Sequence, residues 1–287
     1  MHGTVDGFSY GIVTPLVAYL MACLGGALGL RCTTRALLVA HSWRPGWLAL
    51  GSAAIGSGIW TMHFIAMMGF TVAGAPIHYD KPTTYASLGV AILMVGVGIF
   101  IVGYKGATGT ALFTGGTVTG LGIASMHYLG MAGMRFNGKM EYNTLTVAAS
   151  VAIAMAAASA ALWSAGQVRG FLWSVGASLV MGLAVTGMHY TGMAAMKVHL
   201  HSGGTPTPGD SPAALLAPML VGPLAFLCLA GVVVLFDPLM VSKPAWPPVE
   251  HKPGVPAHAP AAHTSRHPRL RPRRKMPHRE SRTPQNR

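Results

Sequence analysis

The chain has 287 residues, 52% of them hydrophobic and only 9% charged, with a mean hydropathy of +0.48. So few charges cannot cover a water-facing surface of this length, so the composition excludes an ordinary soluble domain and points to a membrane protein. The net charge of +13 is unevenly placed: 11 of the 20 Lys and Arg follow Asp237, which leaves the apolar body nearly balanced.

Crossing a bilayer as a helix takes about 20 apolar residues. Seven runs meet that requirement, at residues 10–30, 47–69, 85–104, 111–134, 145–165, 171–195 and 213–236. Strand-type alternation is absent, which argues against a membrane β-barrel. The first run is too long and too rich in Gly for a cleaved signal peptide, and a retained helix is expected. The loop after it holds Arg31, Arg35 and Arg44 without an acid, and Lys105, Arg169 and the basic tail fall on the same side. The opposite side pairs its cations with Asp6, Asp80, Glu141 and Asp210. Excess Lys and Arg mark the cytoplasmic side, so the N-terminus is expected outside and the C-terminus inside.

The seventh run contains Pro218 and Pro223, which allow a bend near its outer part. Residues 238–287 are rich in Pro, Arg and His and lack an aliphatic pattern, so a disordered cytoplasmic tail is expected after a membrane domain at 1–237. Its RPRRK cluster at 271–275 suits anionic lipid or a cytoplasmic signalling partner, and nucleic acid is not the expected partner. Cys23, Cys32 and Cys228 form no C-x-x-C pair and read as packing residues.

One pattern recurs three times. MHFIAMMGF occupies 62–70, MHYLGMAGM 126–134 and MHYTGMAAM 188–196, each closing an even-numbered run. The near-constant period marks three two-helix repeats plus one extra helix, in an all-α membrane protein of seven transmembrane helices. Even-numbered helices run in one direction, so the three motifs meet at one depth, near the outer face. Around each His, small residues stand seven and eleven positions earlier (Gly56 and Ser52, Gly120 and Gly116, Gly182 and Ser178), and a Met stands four later. At about 100° per residue these offsets share one face. The small residues let helices approach closely, and His and Met are expected to face the bundle interior.

A His in a membrane is costly unless it is paired, wetted or ligated. A single one reads most simply as hydrogen-bonded to a neighbouring helix, but three at matched depth with Met one turn later point to a metal. Imidazole plus thioether without carboxylate or thiolate suits copper, particularly Cu(I), and makes His63, Met67, His127, Met131, His189 and Met193 the candidate ligands. Haem is a competing cofactor, with Phe64, Tyr128 and Tyr190 as possible pocket walls. His78, His199 and His201 are expected in outer loops. The sequence carries no nucleotide-binding loop, nucleophile elbow or paired catalytic carboxylates, so no enzyme activity is expected.

These motifs resemble the MHYT domain, a bacterial integral membrane sensor module, over nearly all of residues 8–236: IGSGIWTMHFIAMM at 55–68, GLGIASMHYLGMAGM at 120–134 and VMGLAVTGMHYTGMAAM at 180–196. The resemblance implies seven helices in the bacterial cytoplasmic membrane, an outside N-terminus, and copper through which oxygen, carbon monoxide or nitric oxide is sensed. Many members join the module to a cytoplasmic cyclase, phosphodiesterase or kinase, whereas here the basic tail follows it. The first copy departs from the others, with Phe64 for Tyr and Phe70 for Met. A copper-handling or transport protein is the alternative function, and a scaffold in which His and Met merely pack is a further one.

Overall fold

The computed structural model describes residues 5–6, 9–72, 75–167, 171–200 and 211–237. Its helices are α1 (Val13–Leu38), α2 (Arg44–Met68), α3 (Lys81–Lys105), α4 (Gly109–Ala132), α5 (Thr144–Ala165), α6 (Phe171–Ala194) and α7 (Pro212–Leu235). The short strands β1 (Val5–Asp6), β2 (Thr71–Val72), β3 (His78–Tyr79), β4 (Met134–Arg135), β5 (Gly138–Tyr142) and β6 (Met196–Leu200) lie between them. This is an all-α membrane protein of seven helices. Six are long and apolar enough to cross a bilayer. The helix that falls short is α4, where six Gly and four Thr dilute the apolar residues over a comparable length. Large side chains such as Leu93, Phe113, Leu145 and Leu172 point outward, as a lipid-facing surface requires.

Several expectations shift. The first helix runs on to Leu38, so Arg31 and Arg35 lie in its last two turns rather than in a loop. Arg35 there pairs with Asp237 just beyond α7 and lies 5.4 Å over the Trp47 ring. The helix α7 contains both Pro218 and Pro223 within its length. His78 and His199 sit in strands, not irregular loops, and Nε2 of His199 lies 3.2 Å from a Glu141 carboxylate oxygen. His201 and the tail at 238–287 lie outside the described residues.

The ring of helices closes in a way the repeat does not announce. Helices α1 to α6 pack in sequence order, and α1 also packs on α6, while α7 lies against α2 and α1. Glycines explain the closeness. A Cβ on Gly56 of α2 would come within 2.8 Å of Ile92 in α3, and one on Gly120 of α4 would collide with the backbone at Met155 in α5. The third equivalent, Gly182 of α6, faces Cys23 in α1, where a Cβ would lie 2.5 Å from its sulfur. The small residues therefore seat each even helix on an odd one, and α1 completes the third pair. The even helices do not touch one another through these positions. Hydrogen bonds reinforce the same pairing: Trp60 Nε1 donates to Ser87 Oγ at 3.0 Å, and Tyr128 Oη pairs with Ser150 Oγ at 2.7 Å.

At the end where the motifs lie, the strands form three antiparallel pairs, β1 with β2, β3 with β4 and β5 with β6. Phe70, Met134 and Met196, seven residues beyond each His, are buried at this end. The odd helices here start from polar caps, Asp80 for α3 and Asn143 for α5, which accept from Thr83 N and Thr146 N at 2.9 and 3.0 Å. Bonds from the Thr83 hydroxyl and backbone N–H hold the Asp80 carboxyl below its usual range. A depressed carboxyl contributes stability above its unfolded pKa and loses it as pH falls through the folded value. Asp80→Ala is therefore expected to lower the thermal midpoint at neutral pH, with the gap to wild type closing as the solution is acidified. Unfolding scans in detergent across a pH series check this, and a gap independent of pH would assign the effect to something other than the carboxylate.

Candidate metal centre

The last turns of α2, α4 and α6 bring His63, His127 and His189 to one point. Each is 1% exposed. Their Nδ1 atoms form a nearly equilateral triangle, 3.0 Å from His63 to His189, 3.2 Å from His63 to His127 and 3.3 Å from His127 to His189. The rings stand nearly perpendicular to one another, at 75° to 87°, with centroids 4.9 to 5.1 Å apart. Among the described residues, this is the group of three or more His, Cys, Asp or Glu close enough to hold one metal ion.

The triangle poses a hydrogen-bonding problem. A neutral imidazole has one N–H and one lone pair, so each Nδ1 is either a donor or an acceptor. With three such atoms in mutual contact, at least two are alike and repel. A cation at the centre removes the conflict, because all three nitrogens then direct lone pairs at one positive charge. The size fits: the centre of this triangle lies about 1.8 Å from each Nδ1, against roughly 2.0–2.1 Å for an imidazole–metal bond. No Asp or Glu occurs in α2, α4 or α6.

Ligation through Nδ1 leaves the proton on Nε2. Metal-bound His usually donates that N–H to a carboxylate or carbonyl, but Nε2 of His63 and of His127 is buried without a partner. A glycine backbone stands there instead. A Cβ on Gly130 of α4 would lie 2.6 Å from His63 Nε2, and one on Gly192 of α6 would collide with His127 Nε2. Both glycines lie three residues after a motif His, and the matching residue of α2, Ala66, is also buried. The His63 and His127 rings are thus each seated on the next helix of the triad by close packing. The signal for these residues was present in the sequence, as the Gly or Ala of every motif copy.

Met67 and Met131 are buried in the surrounding core, and Met193 is half-buried against it. The imidazoles meet without any thioether between them. Met62, Met126 and Met188, which stand off the expected stripe, are as deeply buried as Met67 and Met131. The face turned to the bundle axis is therefore rotated from the expected one. It centres on the residues one turn before each His, Ile59, Ile123 and Val185, which line an apolar cavity of about 20 Å³.

The comparisons with known proteins agree with a signalling role. A family model described as "Bacterial signalling protein N terminal repeat" (MHYT) matches three times, at residues 56–115, 120–178 and 182–237, each match beginning at or beside the glycine seven before a motif His. The chain is 37% identical over 199 residues to the bifunctional diguanylate cyclase/cyclic di-GMP phosphodiesterase MucR of Pseudomonas aeruginosa, covering 68% of this chain and 29% of that protein. It is 34% identical over 212 residues to the cyclic di-GMP phosphodiesterase NbdA of the same organism, covering 69% of this chain and 27% of that protein. The signaling protein YkoW of Bacillus subtilis is 30% identical over 197 residues, or 67% of this chain and 24% of that protein. The chain thus spans less than a third of these relatives' lengths. No solved structure matches it.

Proposed function

The chain belongs to the MHYT family of bacterial signalling-protein N-terminal repeats, and on that premise we propose that it is a membrane sensor whose His63, His127 and His189 hold a copper ion that meets a diatomic gas or responds to redox state. The observation that carries this reading is the Nδ1 triangle, whose conflict a shared cation resolves. The absence of any acid on the three helices favours a singly charged ion. A buried divalent cation would carry more uncompensated charge here, and imidazole and thioether donors suit Cu(I). Met67, Met131 and Met193, one turn further along each helix, are the thioethers available to complete its coordination.

Copper would supply a site for a small gas molecule or a change of oxidation state; the protein supplies the three ligands and their dry surroundings. Because the His63 ring is seated on α4 and the His127 ring on α6, a change at the ion would press on α2, α4 and α6 together. We place the module in a bacterial cytoplasmic membrane with its N-terminus outside, the His cluster near the outer face and a cytoplasmic readout through the tail, anionic lipid or a signalling partner. The chain itself acts as a sensor rather than a catalyst. The enzymatic names of MucR and NbdA describe proteins of which the matched part is 29% and 27%.

Two other readings fit less well. A haem would have to pass a flat macrocycle between imidazoles whose Nδ1 atoms are 3.0–3.3 Å apart. A copper relay would need a series of ligands inward of the triad, where Ile59, Ile123 and Val185 stand and Met181 is the one thioether on the cavity wall. Metal analysis of the purified chain tests the proposal. Wild type is expected to hold one copper, and His63→Ala, His127→Ala and His189→Ala each to weaken it by more than the roughly 10–100-fold typical of outer-shell changes. Equal metal content across the series, or none in any member, would remove the basis of the reading.

A further inference from the structure

The triad is sealed where the strands lie: each His is 1% exposed, with Phe70 and Met134 at 1% and 2% beyond. The space around it opens elsewhere. Directly inward is the cavity of about 20 Å³ bounded by Ile59, Ile123 and Val185, one turn before the three histidines. Thr119 is its polar lining residue, and its hydroxyl reaches Met94 O at 3.4 Å. A chamber of this size takes one water-sized molecule, and an apolar one stays dry.

A second, larger cavity of about 450 Å³ lies between α5 and α6. It exists because the facing residues are small: Ala157, Ala160 and Ala161 on α5, and Gly176, Ala177 and Ala184 on α6. Its mouth is on the lipid-facing surface, where Leu172 and Val180 are 83% and 68% exposed. The two cavities share a wall of four side chains, Leu30, Ala157, Ala161 and Met181. Met181 is the pliable member, since an unbranched thioether has several accessible rotamers. Its terminal methyl packs on Gly26 of α1, where a Cβ would collide with it.

We propose that a small apolar molecule dissolved in the bilayer reaches the histidine triad through this slot between α5 and α6, past Met181, into the chamber beneath the imidazoles. The route runs from lipid to the inward face of the triad and avoids the sealed strand end. It rests on the reading of the triad as a gas-responsive copper site, but it concerns the path alone. Apolar diatomics concentrate in hydrocarbon, so a lipid-side entrance samples the phase where such a ligand is most abundant.

Xenon tests the path without reference to metal. Crystals of the full chain pressurised with xenon are expected to show it in the slot, whose volume admits the atom, up to the Met181 wall. Gly176→Phe is a suitable block, because a Cβ at Gly176 meets nothing within 4 Å and a larger side chain can grow into the slot. Ala161→Phe blocks the shared wall. Both are expected to displace xenon from the cavity they fill. In copper-loaded protein in lipid nanodiscs, both are expected to slow carbon monoxide recombination after flash photolysis by about tenfold, as when a conformational change precedes binding. Copper content should stay unchanged. Wild-type crystals without xenon in the slot, including a slot filled by a lipid chain, would overturn the route, as would wild-type recombination rates in both variants. If the protein holds no copper, the sensor reading fails and the xenon result alone decides the route.

Discussion

Gly58→Leu is expected to prevent the bundle from closing. A Cβ on Gly58 of α2 would lie 2.6 Å from Gly25 Cα in α1, and one on Gly25 would lie 2.7 Å from Gly58 Cα and 2.8 Å from Ala54 O. The obstacle is backbone on both sides, so no rotamer change relieves it and the helices must separate. Close backbone approach is what holds membrane helices together, since lipid is as apolar as the side chains it would replace. Overpacking a core usually costs about 1–3 kcal/mol, and rigid backbone on both sides puts this case at or above the top of that range. The damage would spread, because α1 also seats α6 at Gly182 and so closes the ring. Thermal unfolding in detergent checks this against Gly89→Leu, where a Cβ meets nothing within 4 Å. Equal midpoints for the two variants would mean that α1 and α2 do not approach as described.

Gly130→Ala and Gly192→Ala are expected to leave the helices intact and cost metal affinity. The added methyl of Gly130→Ala would fall 2.6 Å from His63 Nε2 and 3.1 Å from the Phe64 ring, and that of Gly192→Ala would strike the His127 ring. Both imidazoles must turn, and the Nδ1 triangle opens with them. Ala is a better helix former than Gly by about 1 kcal/mol, so intrinsic helix stability works against any unfolding explanation. A loss of about 10–100-fold in copper affinity with little change in helix content is the expected result, the range for residues that orient ligands without binding metal. Gly187→Ala, two residues before His189, is the control, because a Cβ there meets nothing. Unchanged affinity in both test variants would show that the rings are not held from the Nε2 side.

Much of this architecture was legible in the chain itself. Helix number and approximate ends follow from apolar length, a local property. The meeting of His63, His127 and His189 follows from period and direction: equal spacing on alternate helices puts equal ends at equal depth. What could not be read was azimuth. These helices are apolar nearly all round, so no polar face marks which side meets lipid and which meets protein. The small residues seven and eleven before each His were expected to share the interior with it, but they turned toward α3, α5 and α1. The Gly of each motif copy was visible as a pattern, but its use as a seat for a ring on another helix was not.

The amino-acid sequence by itself determined a membrane bundle of seven helices, the threefold repeat and the gathering of three imidazoles at one level, because length, composition and period act along the chain. Only the tertiary structure decided that α1 closes the ring against α6, that short strands cap the motif end, that Nδ1 atoms converge, and that an apolar chamber lies beneath them. Those outcomes depend on the rotation of each helix about its own axis, which is set by backbone contacts between residues far apart in the chain.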